Sequence, residues 1–441
     1  MSGGKGVEVS STTWRSWSGL EVAHPHQVLS PSSTADVVAA VHAAREAATT
    51  VKMVGTGHSF TGIAVADGIQ LLPHKLVGIT AVDREALTVT CLAGTPLQLL
   101  NTTLERLGLS LHNMGDIAEQ TVAGATSTGT HGTGGVVASL SAQVVGLELV
   151  TGDGTVVHAS EHENPDVLAV ARLGLGALGI VTSLTFRVEP LFTIEAHEGP
   201  MSWSETLARF DEMVAEHYYV EAYWFPHTDH MSVKRNDRTL QPAEPLTSFR
   251  SWLDDDFLSN TVFGWVNTLG NARPSLVPRL AEIAGRALSE RTYSDVAHKV
   301  FTSPRKVVFR EMEYAVPREA GLEALREARS LIERRGWRIS FPIEIRVAPA
   351  DDVPLSTASA RDSLYLAFHV NEQTDHTAYF TEVERLLRTY DGRPHWGKLH
   401  TRTAADLAPA YPRWSEFQEL RDRHDPERVF GNAYLTRVLG P

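Results

Sequence analysis

The hydrophobic and polar positions of residues 1–190 read as short strands alternating with helices. Pro31 to Asp36 leads into the apolar run Val37 to Ala44. Ser33, with Asp36 three residues on, is a capping arrangement that predicts the start of an amphipathic helix. Val51 to Val54 follows as a short strand that stops at Gly55. Val145–Val150 and Thr155–Ala159 flank Gly152-Asp153-Gly154, which predicts a hairpin. Ile180 to Val188 alternates as a strand, and Glu189-Pro190 ends it, so a domain boundary is expected near residue 190. Residues 191–390 are mixed. Polar, proline-containing loops are predicted at 236–248, one helix over Leu322 to Arg335, and another over Thr377 to Tyr390. The C-terminal segment is dense in aromatic and charged residues, and neither an internal repeat nor a low-complexity stretch is visible.

A chain of 441 residues exceeds what one core holds, so two or three domains are expected. With 42% hydrophobic and 21% charged residues it reads as globular. A net charge of −13 argues against a nucleic-acid partner, which needs a basic face. The lone cysteine, Cys91, lies in the apolar run Leu87 to Leu92, reads as a small buried hydrophobe, and leaves no intrachain disulfide. No apolar run approaches the ~20 residues that span a bilayer. Met1 to Ser10 lacks an apolar signal core, so no membrane partner and a cytoplasmic location are expected.

Several motifs carry candidate chemistry. Val54-Gly55-Thr56-Gly57-His58-Ser59-Phe60 directly follows a strand. Two glycines one residue apart let backbone bend tightly and approach a phosphate. It is not the Gly-x-Gly-x-x-Gly dinucleotide fingerprint, and a glycine-rich turn with a surface histidine is the alternative. Gly124 to Gly135 holds glycines and recurring hydroxyls, suited to wrapping a pyrophosphate or to a flexible loop. Leu173 to Ile180 lets backbone lie against a ligand, or packs closely. In Phe341 to Val347, Glu344 and Arg346 are two apart on a strand and share a face. They form either a salt bridge or a clamp for substrate hydroxyls. His369 falls on a possible neighbouring strand, where a structural role competes with a functional one. Lys398, behind His395-Trp396-Gly397, is either a fixed cation beside developing negative charge or a solvated surface lysine.

Together these motifs, in this order and with the tail Asp425-Pro426-Glu427-Arg428-Val429-Phe430, resemble vanillyl-alcohol-oxidase-type flavoproteins. Within that type the chain is similar to the sugar-lactone oxidases and dehydrogenases acting on L-gulono-1,4-lactone and D-arabinono-1,4-lactone, with alditol oxidases as cousins. The resemblance runs from about Trp14 to Gly440.

It implies an α+β, two-domain fold: an FAD-binding domain over 1–190, rejoined by 391–441, and a cap or substrate domain over 191–390. FAD would be bound by Val54, Gly55, Thr56, Gly57, His58, Ser59, Phe60, Gly115, Asp116, Thr121, Gly124, Thr128, Gly129, Thr130, His131 and Ile180, with a covalent link through His58. Glu344, Arg346 and Lys398 would be catalytic, and Asp116 and His369 would join them in binding substrate. The reaction implied is hydride transfer from a CH–OH carbon of a sugar-1,4-lactone to flavin N5, giving an ascorbate-like product, with oxygen or another acceptor taking the electrons. The alternative is oxidation of an alditol such as xylitol or sorbitol, producing hydrogen peroxide. Alditol oxidases carry histidine where Ala367 stands and serine where Asp116 stands, which favours the lactone. Gly115 falls at an oxygen gate, where glycine resembles oxidases. No metal is expected, since the histidines lack ligand spacing.

Overall fold

The computed structural model describes residues 13–134, 139–247, 263–302 and 307–441. Met1 to Ser10, Gly135 and residue 248 of the expected loop lie outside the described residues. Three sheets carry the architecture, an α+β arrangement. Gln27–Leu29 (β1), Val51–Met53 (β2) and Ile69–Leu71 (β3) form a parallel sheet in the order β1-β3-β2. Ile79–Asp83 (β4), Thr88–Leu92 (β5), Val144–Val150 (β6), Val156–Ser160 (β7) and Ile180–Arg187 (β8) form an antiparallel sheet, β7-β6-β8-β5-β4. The third sheet has eight strands: Thr193–Ser202 (β9), Tyr219–Trp224 (β10), His230–Thr239 (β11), Arg291–Val296 (β12), Phe309–Pro317 (β13), Ile343–Ala348 (β14), Ser363–Asn371 (β15) and Arg393–Pro394 (β16). Their order is β12-β9-β11-β10-β14-β15-β13-β16.

Much of this follows from local sequence. The helix Thr34–Glu46 is capped by Ser33, whose side chain accepts from the Asp36 N–H. Asp36 reaches back to Ser32 rather than Ser33, so the reciprocal box is displaced by one residue. The hairpin β6–β7 turns over Gly152 to Gly154 as expected, and Cys91 is fully buried on β5. The helices Gly321–Arg335 and Thr377–Arg388 match their apolar periods. One expectation fails: residues 236–239 are strand, not loop, because β11 runs to Thr239. Its charges misled because they are paired: Arg238 with Glu189, Lys234 with Glu198 and Glu221, Asp237 with His217.

The eight-stranded sheet has two unlike faces. One carries Val220, Ala222 and Trp224 on β10, Met312, Tyr314 and Val316 on β13, Ile343, Ile345 and Val347 on β14, and Leu364, Leu366 and Phe368 on β15. These pack with the helices Trp203–Glu216, Gly321–Arg335 and Thr377–Arg388 into one core. Strand alternation then sends Glu221, Tyr223, Glu311, Glu313, Glu344, Arg346, Tyr365 and His369 to the opposite face. That face is not solvated. Residues 131–134 lie against it, with the Gly134 N–H donating to Val347 O and Val347 N–H donating to Thr133 Oγ1. Among the described residues, no helix is long and apolar enough to cross a membrane.

Candidate active site

The glycine motifs converge on one cleft. Gly55, Gly57, Gly124, Gly174, Gly176 and Gly179 all line a space of about 1050 Å³, together with Thr56, His58, Ser59, Thr121, Thr128 and Ile180. Gly57 has φ +72°, and a Cβ there would lie 3.1 Å from the Trp14 ring, so both its conformation and its space call for glycine. Thr121 caps the helix Val122–Thr128 by accepting from the Gly124 N–H, and Gly129 ends it with φ +79°. Val54 is different: it is fully buried beneath the loop and pairs with Leu71 through its N–H.

The tail motif closes this region. Asp425 accepts the N–H groups of Val429 and Phe430, and Val429 O accepts from Val51 N–H on β2. The buried Lys52 then donates to Phe430 O and Gly176 O, tying strand, tail and glycine loop together. Burial brings the Lys52 pKa down to about 8. A long, glycine-walled cleft with hydroxyls and no carboxylate in its lining fits an anionic dinucleotide such as FAD.

A second cavity of about 580 Å³ shares His58, Ser59, Gln120 and Thr128 with the first. Its other walls include Phe60, Gly115, Asp116, Thr130, His131, Arg346 and Lys398. Lys398 reaches it because the segment around it is held from both sides. Phe60 N–H donates to Gly397 O, His395 N–H donates to Glu313 O, and Leu399 N–H donates to Glu311 O. The Trp396 ring is buried, with its N–H on Leu355 O. His58 stacks on Trp17 with ring centroids 5.6 Å apart. Burial pulls the His58 pKa down, and Lys398 pulls it further.

The floor of this cavity is the polar face of the eight-stranded sheet. Tyr223 lies opposite Glu344, which lies opposite Ala367 on its other side. Arg346 is the hub: its Nε donates to Glu221 at 2.6 Å, its Nη2 to Glu344, and Asp116 stands 3.9 Å away. The Tyr223 hydroxyl donates to Glu344 at 3.0 Å. Burial raises the Glu344 pKa well above the usual carboxyl range. Arg346 opposes this, and Glu221 and Asp116 reinforce it. Burial works the same way on Glu221, but Arg346 and Lys234 outweigh it and hold that carboxyl low.

A second charged set adjoins the first. Lys398 is ion-paired with Glu311, and His369 lies 3.4 Å from the same carboxylate. Burial would raise Glu311, but Lys398 and His369 bring it to about 2. Glu313 receives the His131 Nε2 at 2.7 Å, while His131 Nδ1 faces Gly132 O at 2.8 Å. Both ring nitrogens thus lie against oxygens. His131, Glu313 and His395 bring three donor atoms within 4.8 Å of one another. His395 Nδ1 already accepts from Gly397 N–H, and burial lowers its pKa to about 4. Its Nε2 therefore carries the proton and has no lone pair for a metal.

Glu344, Arg346, Lys398, Asp116 and His369 are therefore brought together. Arg346 is bonded to Glu344 and also lines the cavity, so the contact between the two does not take Arg346 out of reach of a substrate. Lys398 is 19% exposed and paired, unlike a solvated lysine. Glu221, Tyr223, Glu311 and Glu313 escaped the sequence reading. Their signal was present: charged residues at alternate positions within the otherwise apolar runs Tyr219–Trp224 and Phe309–Pro317.

Residues 184–438 match the family model for D-arabinono-1,4-lactone oxidase, and residues 25–160 match that for an FAD binding domain. The chain is 40% identical over 431 residues to the L-gulono-1,4-lactone dehydrogenase of Mycobacterium tuberculosis, covering 98% of this chain and all of that one. It is 31% identical over 444 residues to the L-gulonolactone oxidase of Mus musculus, covering 99% of each. Cholesterol oxidase from B. sterolicum has the same fold, with a TM-score of 0.81 at 20% identity over 98% of this chain and 97% of that one.

Proposed function

Because this chain belongs to the D-arabinono-1,4-lactone oxidase family of FAD-dependent enzymes, we propose that it oxidises a CH–OH group of a sugar-1,4-lactone of the L-gulono-1,4-lactone type. The observation that carries this reading is the convergence of Arg346, with Glu344 bonded to it, and Lys398 on one cavity continuous with the glycine-walled cleft. FAD, when bound, supplies the hydride acceptor. The remaining work falls to side chains. The oxidised carbon gives up a hydride and its hydroxyl gives up a proton. Arg346 holds the hydroxyl oxygen and favours its alkoxide character. Glu344, in its ionised form, takes the proton. Lys398 places a fixed positive charge where negative charge accumulates, in a site already shielded from water. Asp116 completes the wall that orients the substrate, with His369 behind it against Glu311.

The division into an FAD-binding domain, 1–190 with 391–441, and a cap over 191–390 belongs to the same reading. So does the covalent link through His58, a ring fixed by Trp17 and kept unprotonated by burial. Dioxygen is the proposed acceptor, on the ground that Gly115 lines the cavity without a side chain. A cytoplasmic location rests on the single buried cysteine.

Anaerobic L-gulono-1,4-lactone should bleach the flavin absorbance of the purified holoprotein, and xylitol should not. Air should then restore the colour. Bleaching by xylitol alone would replace the lactone with a polyol. Yellow colour retained by the acid-precipitated wild type and lost in His58→Ala would support the tether; colour retained by that variant would remove it.

A further inference from the structure

We propose that Glu221, on the strand beside the catalytic pair, is a positioning residue that shares one proton with Glu344 and so sets the pH above which the site takes up the substrate proton. The inference rests on the reading of Glu344 as the proton acceptor.

The geometry comes from three strands. Glu221 and Tyr223 project from β10, Glu344 and Arg346 from β14, and all four lie on the buried polar face. Opposite Glu344, β15 presents only Ala367. Arg346 therefore serves two carboxyl groups through different nitrogens, Glu221 through Nε and Glu344 through Nη2, with Asp116 as a third at 3.9 Å. The two buried glutamate side chains are thus bonded to the same guanidinium. Lys234 on β11 stands 3.6 Å from Glu221 but is also drawn towards Glu198. Three carboxyl groups thus meet one guanidinium and part of one ammonium, with the Glu221 and Glu344 side chains 12% and 7% exposed. Two buried carboxylates on one guanidinium cannot both ionise cheaply, so the pair keeps one proton. The Lys234 and Arg346 contacts anchor the charge on Glu221. Arg346 is the cation at Glu344, against two at Glu221, so the proton rests on Glu344.

The consequence is a base whose proton affinity is set by its neighbour, the usual way in which a carboxyl is brought towards neutral pH. Glu344 is neutral in the resting protein and becomes competent as pH rises through the upper step of the pair. Removing the Glu221 charge leaves Arg346 to hold Glu344 ionised, and the acidic limb of the rate profile should move down.

The test uses Glu221→Gln holoprotein. Its acidic limb in kcat/KM for the lactone should fall by about one pH unit or more, the scale on which neighbouring charges move carboxyl groups. A residue that merely braces the fold would lower activity at every pH without moving the limb. An unmoved limb overturns the proposal. A second measurement needs neither the variant's stability nor any substrate. The infrared difference spectrum of wild-type minus Glu344→Gln holoprotein at neutral pH should contain the C=O stretch of a protonated carboxyl. Its absence overturns the proposal even if Glu221→Gln fails to fold. If the band is present and no lactone is turned over, the shared proton stands and the substrate reading fails.

Discussion

The cleft and the sheet face meet at His58 but are built from opposite materials. The cleft is walled by backbone: glycines, hydroxyls and apolar side chains, assembled from short contiguous motifs. The sheet face is made of side chains: four glutamates, an arginine and a histidine, drawn from four strands more than a hundred residues apart in the chain at the extremes, with Lys398 reaching in from the segment beside them. Backbone sites tolerate many small losses, each confined to its own loop. A buried charge network does not, because every charge is balanced by another and removing one strands its partner.

The harshest way to break the comparison is Lys398→Met. It leaves the buried Glu311 carboxylate opposite His369 alone. Unfolding free energy should fall by about 3–5 kcal/mol, the cost of breaking a buried pair from one side. A denaturant midpoint within error of wild type would show that the pair contributes nothing. The same pair predicts acid sensitivity. Glu311 sits at about 2 in the fold against ~4.3 for a free glutamate, so its stabilisation is complete above ~4.3 and is lost as pH falls towards 2. Stability curves of wild type and Lys398→Met should therefore converge over that window, and parallel curves would count against the pairing.

Next comes Arg346→Lys. The charge survives, but the fork that reaches Glu221 through one nitrogen and Glu344 through another does not. Turnover should drop about 10²–10³-fold, the usual loss for one transition-state donor. Near-normal turnover would leave the pair as a salt bridge without chemistry. The smallest effect is expected on the backbone side. Gly57→Ala forces a side chain into left-handed backbone beside the Trp14 ring, and should cost about 1–2 kcal/mol. The readouts are a small fall in melting temperature and weaker FAD retention. A loss matching that of Lys398→Met would erase the proposed contrast between the two regions.

The same contrast decides what could be read from the chain. The cleft was legible because each glycine motif is local, and its composition announces close approach to a ligand. Glu344 and Arg346 were legible because two residues on one strand share a face whatever the strand pairs with. Glu221 and Glu311 were not, because their meaning lies in register. Glu221 matters only once β10 is known to pair with β14, and Glu311 only once β13 is known to pair with β15, opposite His369. The strand β11 was missed for a related reason. Its polar residues look like a loop until their partners on other elements are known.

The contact between residues 131–134 and β14 has one more consequence. His131, Thr133 and Gly134 belong to the segment that continues the glycine cleft, yet they bond to Glu313, Val220 and Val347 of the large sheet. Occupancy of the cleft and order in the catalytic floor are therefore linked thermodynamically. Whatever free energy a nucleotide spends in settling that segment also stiffens the strand bearing Arg346, so loading the cofactor tightens the tool that will use it.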